Sequence, residues 1–126
     1  MTRGRFVAGS MSEAVQAAET VANTTYERWK TRGVDVVLVP QSARGKLYGV
    51  VLSGIRVRDD LRDRGLGEEA LREICQIADT NGWKLALTPE GKVGRLKRWY
   101  KRHGFVLNKG RNKDFLFRDT MLRLPR

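Results

Sequence analysis

The spacing of apolar residues along the chain changes several times, and each change predicts a new element. Over residues 12–32, apolar side chains recur three or four positions apart, a spacing typical of one face of a helix. Ser10 and Glu13 have the spacing of a capping box, so the helical pattern is expected to begin at Ser10 and to end near Gly33. The first element is therefore expected to be one long amphipathic helix.

Two strands are predicted after this helix. Residues 34–39 are mostly β-branched and predict a buried strand that ends at Pro40, with a turn-rich segment over 41–46 behind it. Residues 47–57 predict a second strand. Gly54 lies inside this second strand, where glycine has no side chain to pack, and such a glycine often marks a bulge or the close approach of a ligand.

Helical and extended patterns then alternate to the end of the sequence. An amphipathic helix is predicted over 68–81, a short apolar strand over 83–87 and another amphipathic helix over 93–103. Two further strands, 105–107 and 115–124, flank a basic turn and predict a hairpin. The strand-helix-strand unit in the middle is expected to form a right-handed parallel crossover, so the fold is expected to be a mixed α/β sheet of about five strands.

Length and composition restrict the class of protein. The 126 residues provide material for one core, so 1–126 is expected to form a single domain. A chain that is 40% hydrophobic and 31% charged is not intrinsically disordered. The single cysteine, Cys75, excludes an internal disulfide and a cysteine-based zinc site. No apolar run is long enough for a membrane span or a signal-peptide core, so we expect a cytoplasmic protein.

The charge of the chain is large and unevenly distributed. The formal net charge is +11, which attracts polyanions, and residues 92–126 contain twelve of the basic residues but only two of the acidic ones. Part of this excess is expected on the exposed surface of the helix over 93–103 and part in the basic turn, where a nucleic acid could bind. The cations expected to contact it are Arg95, Lys97, Arg98, Lys101, Arg102, Lys109, Arg111 and Lys113.

Residues 62–67, with the sequence Arg-Asp-Arg-Gly-Leu-Gly, follow the second strand and lead into a helix. Backbone N–H groups at the start of a helix have no partner within the helix, and glycines let an anion approach them closely. Arg58, Arg62 and Arg64 could neutralise further phosphate charges. The segment therefore predicts a phosphate site, although a ligand-free tight connection would use the same residue types.

The neighbourhood of this segment resembles motif A of the GNAT superfamily of acyl-CoA-dependent N-acetyltransferases. That motif is a hydrophobic strand followed by Arg/Gln-x-x-Gly-x-Gly/Ala and an amphipathic helix, and Arg62, Gly65 and Gly67 stand at its fixed positions. Downstream, residues 96–105 are similar to the family's helix with its Tyr-x-x-x-Gly-Phe signature. The resemblance covers residues 50–124.

Within this region, residues 87–89 and 104–115 are similar to short acetyltransferases encoded by tailed phages, which would place the protein in the host cytoplasm. The family resemblance implies a GNAT-like mixed sheet of about five to six strands with flanking helices. It also implies transfer of an acetyl group from acetyl-CoA to a primary amine by direct attack. The residues that the resemblance implies for acetyl-CoA binding are Ile55, Arg56, Val57, Arg62, Asp63, Arg64, Gly65, Leu66 and Gly67.

The catalytic residues implied by the resemblance are few. Tyr100 stands at the position of the family's usual acid, which protonates the departing thiolate. Many relatives have a glutamate in the second strand as general base, but residues 50–57 contain no carboxylate. Glu90, at the end of the next strand, is then the nearest candidate, and a water relay to solvent is an equal alternative. Cys75 is expected to be a buried hydrophobe, and His103 is expected to lie outside the site.

Two classes of function stay open on the sequence alone. The first is an active acetyltransferase whose acceptor amine is unknown and could be carried on a nucleic acid. The second is a GNAT-like protein without turnover that binds nucleic acid through its basic surface. A cationic small acceptor is disfavoured, because the net charge would repel it.

Overall fold

The computed structural model describes residues 12–91 and 93–126. Helices and strands follow one another in the predicted order, and two short 3-10 turns, Asp59–Leu61 and Gly110–Asn112, lie between them. The elements are α1 (Glu13–Lys30), β1 (Val34–Ala43), β2 (Lys46–Val57), α2 (Leu66–Asn81), β3 (Leu85–Leu87), α3 (Val93–Arg102), β4 (Val106–Leu107) and β5 (Met121–Arg123).

The five strands form one mixed sheet in the order β1-β2-β3-β5-β4, which confirms the predicted α/β class. Among the strands of the described residues only β2 and β3 are parallel, and α2 connects them, as expected for the crossover in the middle of the chain. Their pairing is short, because it joins only Val50 to Leu85 and Val51 to Ala86. Beyond these two pairs β2 stays paired with β1, whereas β3 is paired with β5, so the two parallel strands diverge.

A β-bulge lies where β2 leaves β3. Val37 pairs with Gly54, but the next residue of β1, Leu38, pairs with Leu52, so Ser53 is an extra residue on β2. The bulge lies directly before Gly54, which agrees with the first of the two interpretations that the sequence allowed for this glycine.

The first strand is longer than predicted. It runs through Pro40 to Ala43, and residues 41–43 extend the ladder instead of forming a loop. Because β1 is an edge strand, proline can lie in it with its missing N–H group on the unpaired side. The turn that follows is reduced to Arg44 and Gly45, both with positive φ, as two-residue hairpin turns require.

The helix ends also differ from the predictions by a few residues. The N-cap of α1 is Ser12, whose hydroxyl accepts a hydrogen bond from the amide of Val15, whereas Ser10 lies outside the described residues. Helix α2 begins at Leu66, two residues earlier than predicted, and Gly82 closes it in the left-handed conformation as expected.

The predicted strand over 115–124 is wrong in its first half. Only Met121–Arg123 is a strand, of which Met121 and Leu122 pair with β4, and residues 108–120 form a folded loop instead. Asn108 organises this loop: its side chain accepts from the amide of Asp114 and donates to the carbonyls of Phe117 and Asp119. A side-chain amide that supplies both donor and acceptor satisfies the loop backbone without a neighbouring strand.

All three helices pack on the same face of the sheet. Trp29 of α1, Leu71 of α2 and Tyr100 of α3 belong to one buried cluster with alternate strand residues. On the opposite face, Phe117 from the loop over 108–120 covers a smaller apolar cluster. Within the described residues, no helix is long and apolar enough to span a membrane.

Candidate functional site

A cavity of about 750 Å³ opens where β2 and β3 diverge. Its walls are residues 52–57 of β2, the connection before α2, residues 87–91 after β3, and the inner side of α3. The bulge of β2 lies in its wall, so one side of this strand faces the cavity while its other side is paired with β1. The cavity joins the carboxyl ends of β2 and β3, the parallel pair of the sheet.

The start of α2 forms one end of the cavity. Asp63 and Gly65 both have positive φ, and Gly65 is the N-cap. The first helical hydrogen bond runs from the amide of Glu69 to the carbonyl of Gly65 at 3.0 Å. The amides of Leu66 and Gly67 therefore have no acceptor within the helix, and together with the helix dipole they form a site suited to an anion.

The arginines of the connection between β2 and α2 fix its conformation and also give it positive charge. The guanidinium of Arg62 donates to the carbonyl of Val57 at 3.3 Å and pairs with Asp59 at 3.1 Å, so it closes the connection onto the end of β2. Arg58 pairs with Asp60 at 2.7 Å and holds the pKa of that carboxyl below its usual range. Both pairs are solvent-exposed, so they order the segment more than they stabilise the fold.

Glu68, in the first turn of α2, fixes α3 against the cavity. Its Oε1 atom accepts from Trp99 Nε1 at 2.8 Å and lies 3.0 Å from His103 Nε2, and Arg72 reaches its other oxygen at 3.2 Å. The indole, the imidazole and the guanidinium lower the pKa of Glu68 to about 2. These contacts hold Trp99 in the cavity wall.

Tyr100 lines the cavity from α3, and its side chain is buried. Its ring packs against Trp99 at 4.9 Å and edge-on against Phe105 at 5.6 Å between centroids. Burial raises the pKa of Tyr100 above its ordinary value of 10, so the hydroxyl is protonated at neutral pH. A protonated hydroxyl on a cavity-lining residue is suited to donate a proton.

Most of the residues that sequence reasoning assigned to acetyl-CoA binding line this one cavity. Glu90 also lines it, as an exposed side chain in the turn after β3. Arg64 is exposed in the connection before α2 but does not belong to the lining. The predicted residues that line the cavity are Ile55, Arg56, Val57, Arg62, Asp63, Gly65, Leu66, Gly67, Glu90 and Tyr100.

Sequence reasoning missed several residues at this site. It placed Trp99 only on an apolar helix face and did not connect it to Glu68, although a buried indole N–H needs an acceptor, and that rule could have suggested the contact. It also missed Thr88, whose hydroxyl accepts from the amide of Thr120 at 3.3 Å and ties the cavity rim to the loop over 108–120. Arg95, expected on a nucleic-acid surface, lines the cavity instead.

Cys75 and His103 lie away from the cavity lining. Cys75 is buried in the main core, and this burial raises the pKa of its thiol, so the predicted role as a small hydrophobe is confirmed. His103 contacts Glu68 but does not line the cavity.

The cations of α3 differ from those of α1 in their surroundings. Arg28 of α1 and Arg32, in the turn that follows it, each pair with a glutamate of α2. By contrast, the side chains of α3 that carry positive charge form no ion pair anywhere in residues 12–91 and 93–126. These unpaired cations are Arg95, Lys97, Arg98, Lys101 and Arg102.

Comparison with known proteins supports the fold but not a closer relationship. No family model matches the chain, and no curated protein matches its sequence. Among solved structures, Naa20 of Chaetomium thermophilum, crystallised in complex with a bisubstrate analogue, is similar with a TM-score of 0.53 and 12% identity. The match covers 84% of this chain and 72% of that one. The architecture is thus similar to that of a GNAT acetyltransferase, as the motifs imply. The narrower resemblance to phage-encoded proteins stays a prediction.

Proposed function

We propose that the protein is an N-acetyltransferase that uses acetyl-CoA and transfers the acetyl group to a primary amine by direct attack. The observation that carries this proposal is the meeting, in one cavity, of the free amides of α2, the exposed side of β2 and the buried hydroxyl of Tyr100. The free amides would bind a phosphate, the exposed side of β2 would pair with a peptide-like chain, and the hydroxyl of Tyr100 would donate a proton.

The residues of the cavity fit acetyl-CoA. The amides of Leu66 and Gly67 would hold the pyrophosphate. A Cβ atom at Gly67 would lie 3.7 Å from the nearest side chain, that of Val57, so the backbone there is open to a ligand. Main-chain groups of Ile55 and Val57 would bind the amides of the pantetheine arm as an added strand does.

The chain's own residues would then handle the protons. Acyl transfer requires a neutral amine, and Glu90 at the rim of the cavity, or water leading to solvent, would accept the proton that this amine releases. Tyr100 would donate its proton to the thiolate that departs from the acetyl group. Burial keeps the pKa of Tyr100 above 10, so the protonated form, which can donate, predominates at neutral pH.

The acceptor is an amine whose carrier the cavity alone does not define. The unpaired cations of α3, one of which lines the cavity, favour a carrier with negative charge, and an amine on a nucleic acid belongs to that class. The same cations support a second candidate function, a GNAT-like protein that binds nucleic acid without turnover.

Titration calorimetry with acetyl-CoA and with CoA tests the proposal. Gly67→Glu places a carboxylate and bulk at the pyrophosphate site, so binding should be lost. Gly67→Ala is the matched steric control, because its Cβ meets only ordinary contacts. Gln76→Glu adds the same charge on an exposed position of α2, about 14 Å further along the helix, and should bind like the wild type.

The titrations are run at low and at moderate salt, since nonspecific binding of polyanions weakens steeply with salt. Saturable one-to-one binding that survives salt and disappears only in Gly67→Glu supports the acetyltransferase, and an acceptor screen with amine-bearing nucleic acids follows. Absence of binding, or equal binding by all variants, would leave the nucleic-acid-binding protein as the better account.

A further inference from the structure

The loop that joins β4 to β5 displays apolar side chains that neither the core nor the cavity uses. Residues 109–118 of this loop are here called the basic loop. Within it Phe115 is 84% exposed and Leu116 is 57% exposed. Water solvates an exposed phenylalanine ring unfavourably, so a partner that covered Phe115 would gain free energy from its burial.

The exposure of Phe115 does not result from a loosely held loop. Its neighbour Asp114 donates its amide to the Asn108 side chain at 2.7 Å and pairs with Lys84. Two residues further on, Phe117 is buried and packs edge-on against Tyr48 with 5.1 Å between centroids. Phe115 is therefore held between two anchored residues, and its ring is presented to solvent by a fixed backbone.

The basic loop that carries this ring is rich in positive charge. The ammonium of Lys113 lies 5.2 Å from the centroid of Phe115. Arg111 and Arg118 are exposed and form no ion pair with any residue that the structure describes, and Lys109 is likewise exposed and unpaired. The single carboxylate of the basic loop, Asp114, already pairs with Lys84, the residue directly before β3.

We propose that the basic loop binds single-stranded nucleic acid, with Phe115 stacking on a base while Lys113 and Arg111 neutralise backbone phosphates. Base stacking on an aromatic ring tolerates any sequence, because every base has a π face. In a duplex the bases are already stacked on one another, so Phe115 would gain no such contact. Binding to a membrane surface scales with the apolar area that is buried, and two side chains of one loop offer little of it, so a polyanion with bases to stack is favoured.

This surface is separate from the proposed active site. Phe117 anchors the basic loop on the sheet face opposite to the three helices, whereas Tyr100 and the cations of α3 belong to the helical side. The proposal therefore holds whether or not the cavity catalyses acetyl transfer.

Fluorescence anisotropy of a labelled oligothymidylate of about 12 nucleotides tests the proposal with the full chain. We expect Phe115→Ala and Phe115→Leu to weaken binding by about 5- to 100-fold, the loss expected for one stacked base, and Phe115→Trp to retain it. Val106→Ala removes another exposed apolar side chain, on β4, and should leave binding unchanged. Lys113→Ala should weaken binding and lower the salt dependence by about one released counterion.

Three results would overturn the proposal. Binding that ignores the Phe115 variants but is lost in Arg98→Glu would assign the nucleic acid to α3. Tighter binding to a duplex of the same length would exclude stacking. Sedimentation with phosphatidylglycerol-containing vesicles, without binding to the oligonucleotide, would identify the basic loop as a membrane contact. Because Phe115 is exposed, its variants should keep the wild-type circular dichroism, which separates these results from misfolding.

Discussion

Tyr100 is the residue on which the proposed chemistry depends most directly. We predict that Tyr100→Phe lowers kcat by about 10²- to 10⁴-fold and leaves the affinity for acetyl-CoA nearly unchanged, because only the proton donor is removed and the ring stays packed. Since burial raises the pKa of Tyr100 above 10, the wild type should lose no activity through this group up to about pH 10. Steady-state kinetics over pH 7 to 10 measures both effects.

Tyr48→Phe is the control for Tyr100→Phe. Tyr48 packs on Phe117 on the other face of the sheet and does not line the cavity, so its variant should keep full activity. If Tyr100→Phe also retained activity within a few-fold of the wild type, Tyr100 would be a packing residue and the proton donor would have to be another group.

Asp79 and Arg123 form the most buried ion pair among the described residues. The guanidinium of Arg123, only 4% exposed, donates to both oxygens of Asp79 at 2.7 and 3.1 Å and to the carbonyl of His103. We predict that Asp79→Asn lowers the free energy of unfolding by about 3 kcal/mol, because it leaves a buried cation without its partner. Urea denaturation at pH 7 measures this change, and Asp35→Asn, at an exposed position of β1, should have little effect.

The same pair makes stability depend on acid pH. Arg123 lowers the pKa of Asp79 from 3.8 to about 2 in the folded state. A lowered carboxyl pKa contributes stability that is complete above the unfolded value and is lost as the pH falls toward the folded one. The stability of the wild type should therefore fall between about pH 4 and 2, and the profile of Asp79→Asn should be flatter in this range. Parallel profiles would show that the pair contributes no such linkage.

At the scale of elements, β2 contains two glycines that have different reasons to be there. A Cβ atom at Gly49 would lie 2.9 Å from the carbonyl oxygen of Lys84, which accepts the amide of Val50, and would also overlap the ring of Phe117. At Gly54, in the bulge, a Cβ atom would meet nothing within 4 Å. Gly49 thus permits the close approach of strand and loop, whereas the fold itself does not require glycine at position 54.

We predict that Gly49→Ala lowers the free energy of unfolding by about 1–3 kcal/mol, because the strand or the Phe117 ring must shift. Gly54→Ala should change it by less than about 0.5 kcal/mol, or raise it slightly by restricting the unfolded chain. Urea titration of both variants under the same conditions makes the comparison. An equal loss in the two variants would mean that the sheet responds to any side chain in β2, rather than to the contact at Gly49.

At the scale of the whole molecule, we propose that residues 1–126 form one cooperative domain. Trp29 of α1 donates to Glu73 of α2, Trp99 of α3 donates to Glu68 of α2, and Trp83 is buried before β3, so the three indoles report on all parts of the described core. Tryptophan fluorescence and far-ultraviolet circular dichroism should therefore give one coincident urea transition, with an m value of about 1–3 kcal/mol/M. Two separated transitions would contradict a single domain.

The sequence by itself determined the elements whose signals are local. The order of helices and strands and the glycine that closes α2 follow from side-chain period and backbone freedom within a few residues. The segment over 62–67 was recognisable for the same reason, because a strand, two glycines and a helix start are consecutive in the chain. These features need no partner far away in the sequence.

Only the tertiary structure decided what depends on distant partners. Pro40 lies within a strand because β1 is at the edge of the sheet, and no local rule places a strand at an edge. Residues 115–120 are not a strand because Asn108 binds their backbone, and β-branched or aromatic composition cannot reveal that competitor. Likewise, the short pairing of β2 with β3 opens the cavity that brings Tyr100 and Glu90 to one site. In each case a contact between residues far apart in the sequence determines the hydrogen-bond partner or the open space, and the neighbouring residues do not encode it.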